Sequence, residues 1–214
     1  METIKKLWAH RIFKVFVWVF LILLALYIIL VIVRVVHFFN LDKTNAQVEK
    51  IHNTKLTMDD VLGKNLPPDP GALADKTVAG VDANNNGIRD DVELAVFKQY
   101  PNSAKTRAVL LQYALALQME TVQPFVNTTI ATEVIREEDR ADSCVADTLV
   151  PGSNSESSRS NVEVEKINTY IDFIKKLQIN TKERDQAQSN FYENLRSYNS
   201  LPRVCDIDYS KLLN

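Results

Sequence analysis

Residues 15–33 read VFVWVFLILLALYIILVIV, nineteen positions without a charge. Wound as a helix at about 1.5 Å per residue, they span about 28 Å, close to the roughly 30 Å hydrocarbon core of a bilayer. The run is apolar on every face, unlike a soluble helix that keeps one side in water. It resumes after Arg34 with Val35, Val36, Phe38 and Phe39, and Trp18 and Tyr27 add aromatic content. The reading is a transmembrane helix over 15–39. A cleaved signal peptide is the competing reading. Its apolar core would be shorter, and no small-residue cleavage site follows this run. Both cysteines lie far downstream, so no lipid-modified cysteine follows it either.

Charge sets the expected orientation. Lys5, Lys6, Arg11 and Lys14 precede the span, and Arg34 and Lys43 follow it. Basic residues stay on the cytoplasmic side. The expectation is a cytoplasmic N-terminus over 1–14 and a single pass through the inner (cytoplasmic) membrane. The rest would lie in the periplasm, or outside a cell with one membrane.

A chain of 214 residues leaves room for this anchor and one domain of ordinary size. Glycine is scarce, with five residues, which favours helix over turn-rich sheet. Residues 1–40 hold five basic residues against Glu2, leaving 20 basic and 26 acidic residues beyond them. A mildly acidic domain without a Lys/Arg cluster does not suit nucleic acid, whose phosphates need one. The three histidines, His10, His37 and His52, all lie in or near the anchor. Their absence farther on removes most base-assisted nucleophiles and most zinc sites.

Beyond the anchor the pattern is helical, with no strand alternation and no internal repeat. Residues 41–55 read as a helix start or stalk. Thr57 and Asp60 form a capping-box pattern before a short helix that Gly63 can end. Residues 64–80, with Pro67, Pro68, Pro70, Gly71 and Gly80, read as extended coil. Residues 40–80 are therefore expected as stalk and linker, and 81–214 as the helical domain. Helices are expected over 91–100, 103–123, 128–147, 162–177 and 180–199, with Asn180 and Glu183 capping the last. The 103–123 helix is apolar on most sides and should be the core. The charge run Arg136-Glu-Glu-Asp-Arg140 reads as a solvated face with i,i+4 pairs. Residues 151–160, PGSNSESSRS, read as a flexible surface loop.

Cys144 and Cys205 are the two cysteines. In an oxidising compartment the simplest expectation is a disulfide closing a loop of about 60 residues, worth about 4 kcal/mol in loop-entropy models. Two free buried thiols are the other reading.

The most informative stretch is residues 82–93, DANNNGIRDDVE. Side-chain oxygens fall at loop positions 1, 3, 5, 9 and 12: Asp82, Asn84, Asn86, Asp90 and Glu93. Gly87 stands at position 6, where such a loop turns, and Ile88 at position 7 offers its carbonyl. Glu93 can bind through both oxygens. That is the donor pattern of a hard cation taking about 6–8 oxygens. A turn at Asn86-Gly87 before an acidic helix start needs no metal, but does not account for donors at 1, 3, 5 and 12 together.

These residues resemble the EF-hand calcium loop, and more closely its variants in thrombospondin type 3-like and dockerin-like repeats. The resemblance covers about 12 of 214 residues. It implies Ca²⁺ held by Asp82, Asn84, Asn86, the Ile88 carbonyl, Asp90 and Glu93. Two departures matter. Position 8, aliphatic in paired EF-hands, is Arg89, and no helix precedes Asp82. No second loop exists. The stretch GVDANNNGIRDDVE is also similar to a phrase in helical envelope proteins of gamma-proteobacteria, which implies no activity.

The sequence contains no GxSxG, HExxH or phosphate-binding glycine loop. Glu133, Glu137, Glu138 and Asp139 are the carboxylates that a glycan-cleaving site would draw on. The expectation is an all-α, non-catalytic, calcium-binding interaction or structural module. Its partners would be the lipid bilayer and another envelope or secreted protein. The alternative is a periplasmic inhibitor or immunity protein that blocks a toxin or envelope enzyme.

Overall fold

The computed structural model describes residues 2–152, 159–202 and 205–212. The serine-rich centre of the 151–160 stretch, at 153–158, lies outside them. Seven α-helices and no strand occur among the described residues. The chain divides into two compact units, 1–46 and 47–214.

Helix α1 runs Glu2–Asn53 and contains neither glycine nor proline, so nothing in it interrupts the hydrogen-bond ladder. Residues 13–43 are all exposed. Exposed Phe, Leu, Ile and Val along such a length have no place in water. The helix is long and apolar enough to cross a membrane.

The second unit is built around α4 (Ala104–Val122), in which residues 107–120 are all buried. A helix buried on every face has to be central. It packs against α2 (Met58–Leu62), α3 (Asp90–Gln99), α5 (Thr128–Leu149), α6 (Asn161–Gln178) and α7 (Lys182–Tyr192). Ser103 caps α4 by accepting from Thr106 N at 3.1 Å, and Asn127 caps α5 by accepting from Ile130 N at 3.0 Å. Ser160 and Glu163 form a capping box on α6.

Three expectations change here. Residues 47–80 belong to the second unit: Ile51, Leu56 and Val61 lie in its core, and Ala74 is buried. The proline-rich coil has no regular ladder, but its carbonyls are not left to water. The buried Arg184 guanidinium donates to the carbonyls of Ala74, Thr77 and Val78 and to Asp75, and Gln118 donates to Ala79 O. Second, α7 is capped by Thr181, not Asn180, and ends at Tyr192. Asn180 is spent on Arg184, whose side chain it accepts. Third, the run 136–140 is not a solvated face. Glu137 and Arg140 are buried and paired at i,i+3.

The sulfurs of Cys144 on α5 and Cys205 lie at disulfide distance, 1.91 Å. This holds the tail against the core, where Asp206 N donates to Gln112 and Ile207 is buried.

Candidate metal centre

The loop 82–93 is closed by Asp90 N donating to Val81 O at 2.9 Å. Asp82 shapes its first half: Oδ1 accepts from Asn86 N at 3.1 Å and Oδ2 from Gly87 N at 2.9 Å. The chain then reverses through Asn85 (φ 57°) and Gly87 (φ 87°). Gly87 is needed twice over, since a Cβ there would also come within 2.7 Å of the Leu115 side chain. Asn86 Oδ1 accepts from Ile88 N at 2.9 Å. The Ile88 side chain is fully buried, so it fastens the loop to the core and only its carbonyl is left as a donor.

Helix α3 starts at Asp90, where its dipole favours acidic residues. Asp90 Oδ1 accepts from Ala83 N at 2.9 Å. Glu93, one turn in, points back under the loop. Its Oε2 accepts from the side-chain amides of Asn84 and Asn86, each at 3.0 Å. Asn84, Asn86 and Glu93 thus meet at one place. The second oxygens, Asp90 Oδ2 and Glu93 Oε1, are buried without a hydrogen-bond partner.

Arg89 leaves the loop for Gln178 O, Asn180 and Asp91. Among the described residues Asp82, Asp90 and Glu93 form no ion pair. Burial pushes the Glu93 carboxyl up to about 7; the Asn84 and Asn86 amides oppose this and the charges of Asp60 and Asp90 add to it. Burial also raises Asp90, helped by Asp82 and Asp91 and opposed by the Ala83 N–H.

The fit to a divalent cation is partial. Among the described residues no three His, Cys, Asp or Glu side chains are gathered as a metal cluster. Asp82 has both oxygens turned onto backbone donors, and two members of the donor set are amides. The amides suit the role all the same, because a half-turn about χ2 exchanges Nδ2 for Oδ1. The orphaned oxygens of Asp90 and Glu93 are what a cation would satisfy, since a buried carboxylate oxygen without a partner is costly.

The other acidic groups have different surroundings. Glu133 takes His52 at 2.9 Å and Arg136 at 2.9 Å. Glu137 takes Lys55 at 2.7 Å and Arg140, and Arg140 also reaches Asp206 at 2.7 Å. Glu137, Arg140 and Asp206 line a void of about 10 Å³, room for one water at most. A cavity of about 270 Å³ touches Ile51, Leu115, Met119 and Val122 with Lys50 and Asp82, but none of the carboxylates 133–139.

Two features escaped the sequence reading. One is the buried pair of arginines, Arg89 and Arg184. The other is Glu120, 2 % exposed, which accepts from Gln188 at 2.6 Å and lies beside Glu138, Tyr113 and Tyr192. A glutamate directly after the largely apolar 109–119 run was the available signal. No family model, curated protein or solved structure matches the chain.

Proposed function

We propose that the chain is a membrane-anchored, calcium-stabilised helical module of the cell envelope, acting by binding rather than by catalysis. The observation that carries the calcium reading is the pair of buried oxygens without a hydrogen-bond partner, Asp90 Oδ2 and Glu93 Oε1, on carboxylates that form no ion pair among the described residues. Asp82, Asn84, Asn86, the Ile88 carbonyl, Asp90 and Glu93 would hold the ion. When bound it supplies two positive charges where the described residues pair no cation with Asp82, Asp90 or Glu93. An all-oxygen set with two amides suits Ca²⁺ better than Mg²⁺, which keeps more of its water. A solitary loop of this charge belongs with extracellular calcium modules, with Kd on the order of 10⁻⁴ to 10⁻³ M.

The apolar α1, the basic bias before it and the cysteines at disulfide distance support placement of 47–214 outside the cytosol. Alkaline phosphatase fused after residue 214 should be active, and an inactive fusion would overturn the orientation. The calcium reading is tested by melting the full chain in detergent micelles with EDTA, with millimolar Ca²⁺ and with millimolar Mg²⁺. Ca²⁺ should raise the melting temperature more than Mg²⁺ does. No rise with Ca²⁺ overturns the reading.

A further inference from the structure

We propose that α7 is a pH-gated strap: the Glu120 carboxyl holds its C-terminal half closed while it carries a proton, and releases it on ionising.

Of the eleven residues of α7, two are buried, Arg184 and Phe191. The helix is therefore held mostly by polar contacts. Near its start Arg184 donates to the carbonyls of Ala74, Thr77 and Val78. In its second half Gln188 Nε2 donates to Glu120 Oε2 at 2.6 Å, and Tyr192 OH donates to Glu138 Oε2 at 3.3 Å. Farther on, Cys205 returns to α5 at disulfide distance from Cys144. A segment fastened on both sides, with one buried apolar side chain in its second half, can lift while the rest of the unit stays folded.

Glu120 is 2 % exposed, and no N–H or O–H reaches its Oε1. The Glu138 carboxyl lies within hydrogen-bonding reach of it, and two carboxyls meet in this way only when one carries a proton. Glu138 is half-buried and accepts from Tyr113 at 3.4 Å as well as from Tyr192, so it is the better placed to hold the charge. Asp142 of α5 adds to the negative charge around Tyr113, and Tyr198, after α7, faces Glu138. The one cation acting on Glu120 is the exposed Lys175 of α6. Tyr113 and Tyr192 stay protonated, since burial and these carboxylates push both phenols up. An ionised Glu120 would be a buried charge against a second carboxylate, and it gains water when its cover lifts. The cover that yields is α7, because α4 buries fourteen residues, α5 eleven and α6 four, against two in α7. Burial and the Glu138 charge push the Glu120 carboxyl up to about 9 in the closed state, whereas an exposed glutamate ionises near 4.5. Between these values opening releases one proton, so the opening constant should rise about tenfold per pH unit.

Hydrogen exchange of the full chain in micelles, followed by mass spectrometry from pH 6 to 8 and corrected for the intrinsic rate, reads the opening helix by helix. Amides in the second half of α7 should open about a hundredfold more at pH 8 than at pH 6, from a level well above that of α4. Glu120→Gln cannot ionise, and should remove the pH dependence and keep α7 closed. Gln188→Ala keeps the carboxyl but removes one clasp, so α7 should open several-fold more at every pH with the slope unchanged. Wild-type α7 that opens equally at pH 6 and pH 8, or only together with α4, overturns the proposal. So does Glu120→Gln with the wild-type slope, because another group would then carry the proton. Should Glu120→Gln fail to fold, the wild-type pH series decides by itself.

Discussion

Two buried acidic sites in the same unit are built in opposite ways. At one, Glu137 and Asp206 sit beside Arg140 and Lys55, and the chain supplies its own cations. At the other, Asp90 and Glu93 sit among amides and backbone N–H groups, and no cation among the described residues pairs with them. The titrations diverge accordingly. Burial works to raise Glu137, but Lys55 and Arg140 outweigh it and hold the carboxyl below its ordinary value. At Glu93 burial prevails. Equal depth therefore does not mean equal chemistry. A carboxylate paired with an arginine is a closed account inside the fold, while one answered only by neutral donors keeps a demand for external charge.

The largest expected effect comes from breaking the closed site. Arg140→Ala leaves Glu137 and Asp206 buried without their main partner, and should cost about 3–5 kcal/mol. Helix content followed by circular dichroism through thermal unfolding measures this. The pH dependence has a definite sign: the Glu137 carboxyl is depressed in the folded state, so its stabilisation is present above the ordinary carboxylate range and is lost as pH falls through it. The variant should have a weaker acid transition. A loss below about 1 kcal/mol would mean that the network is no more than a surface pair.

Glu120 sharpens the comparison by a third route, holding its proton. Burial first, then the charge of Glu138, pushes its carboxyl up to about 9, with Gln188 and Lys175 pulling it down. The unfolded chain would release that proton near 4.5. The stabilisation is thus complete below the unfolded value and declines as pH rises toward 9, by about 1.4 kcal/mol per pH unit for one proton. From pH 6 to 8 the loss should be about 3 kcal/mol. Glu120→Gln keeps a neutral side chain of the same shape and should flatten the curve. A variant with the wild-type slope would show that Glu120 is ionised in the fold.

At the open site the effect is smaller and depends on the ion. A bound ion stabilises by about RT ln(1 + [Ca]/Kd), about 1.4 kcal/mol at ten times Kd. Glu93→Gln should abolish that gain and leave helical content unchanged. In EDTA it should be no less stable than wild type, because it removes a buried charge that no described cation pairs with. This is the reverse of Arg140→Ala, and a Glu93→Gln protein that keeps its calcium response would remove Glu93 from the ligand set.

The two sites were unequally legible in the sequence because one is local and the other is not. The spacing from Asp82 to Glu93 lies within twelve residues, so the loop, its turn at Gly87 and the helix after it could be read directly. The apolar helix α1 and the helices α4 to α6 are local patterns of the same kind. The closed site depends on Lys55 and Asp206, which lie 82 residues before Glu137 and far beyond it in the chain. Without those partners, the run 136–140 looks like any wet charged face. Arg184 was hidden for a like reason, since the first half of α7 is polar and the carbonyls it serves are more than a hundred residues away. Asn180 was misassigned as a cap because the sequence offers Asn180 and Thr181 side by side, and only the demand of Arg184 decides between them.

The smallest effect tests whether burial or acidity defines the open site. Asp59 and Asp60 are neighbours in α2 with the same side chain. Asp59 is half exposed and pairs with Lys64 at 2.8 Å in solvent, whereas Asp60 is buried and forms no ion pair among the described residues. An exposed pair gains little, because water screens it and two flexible side chains have to be held together. Asp59→Asn should therefore shift stability by no more than about 0.5 kcal/mol. It should also leave the calcium-dependent rise in melting temperature at its wild-type size. If the rise shrinks in proportion to the charge removed, calcium is responding to the summed acidity of this surface and not to a coordinating loop. The same change measured in 0.5 M salt separates the two cases. A diffuse field is screened at that ionic strength, while buried oxygens bound directly to an ion are screened much less.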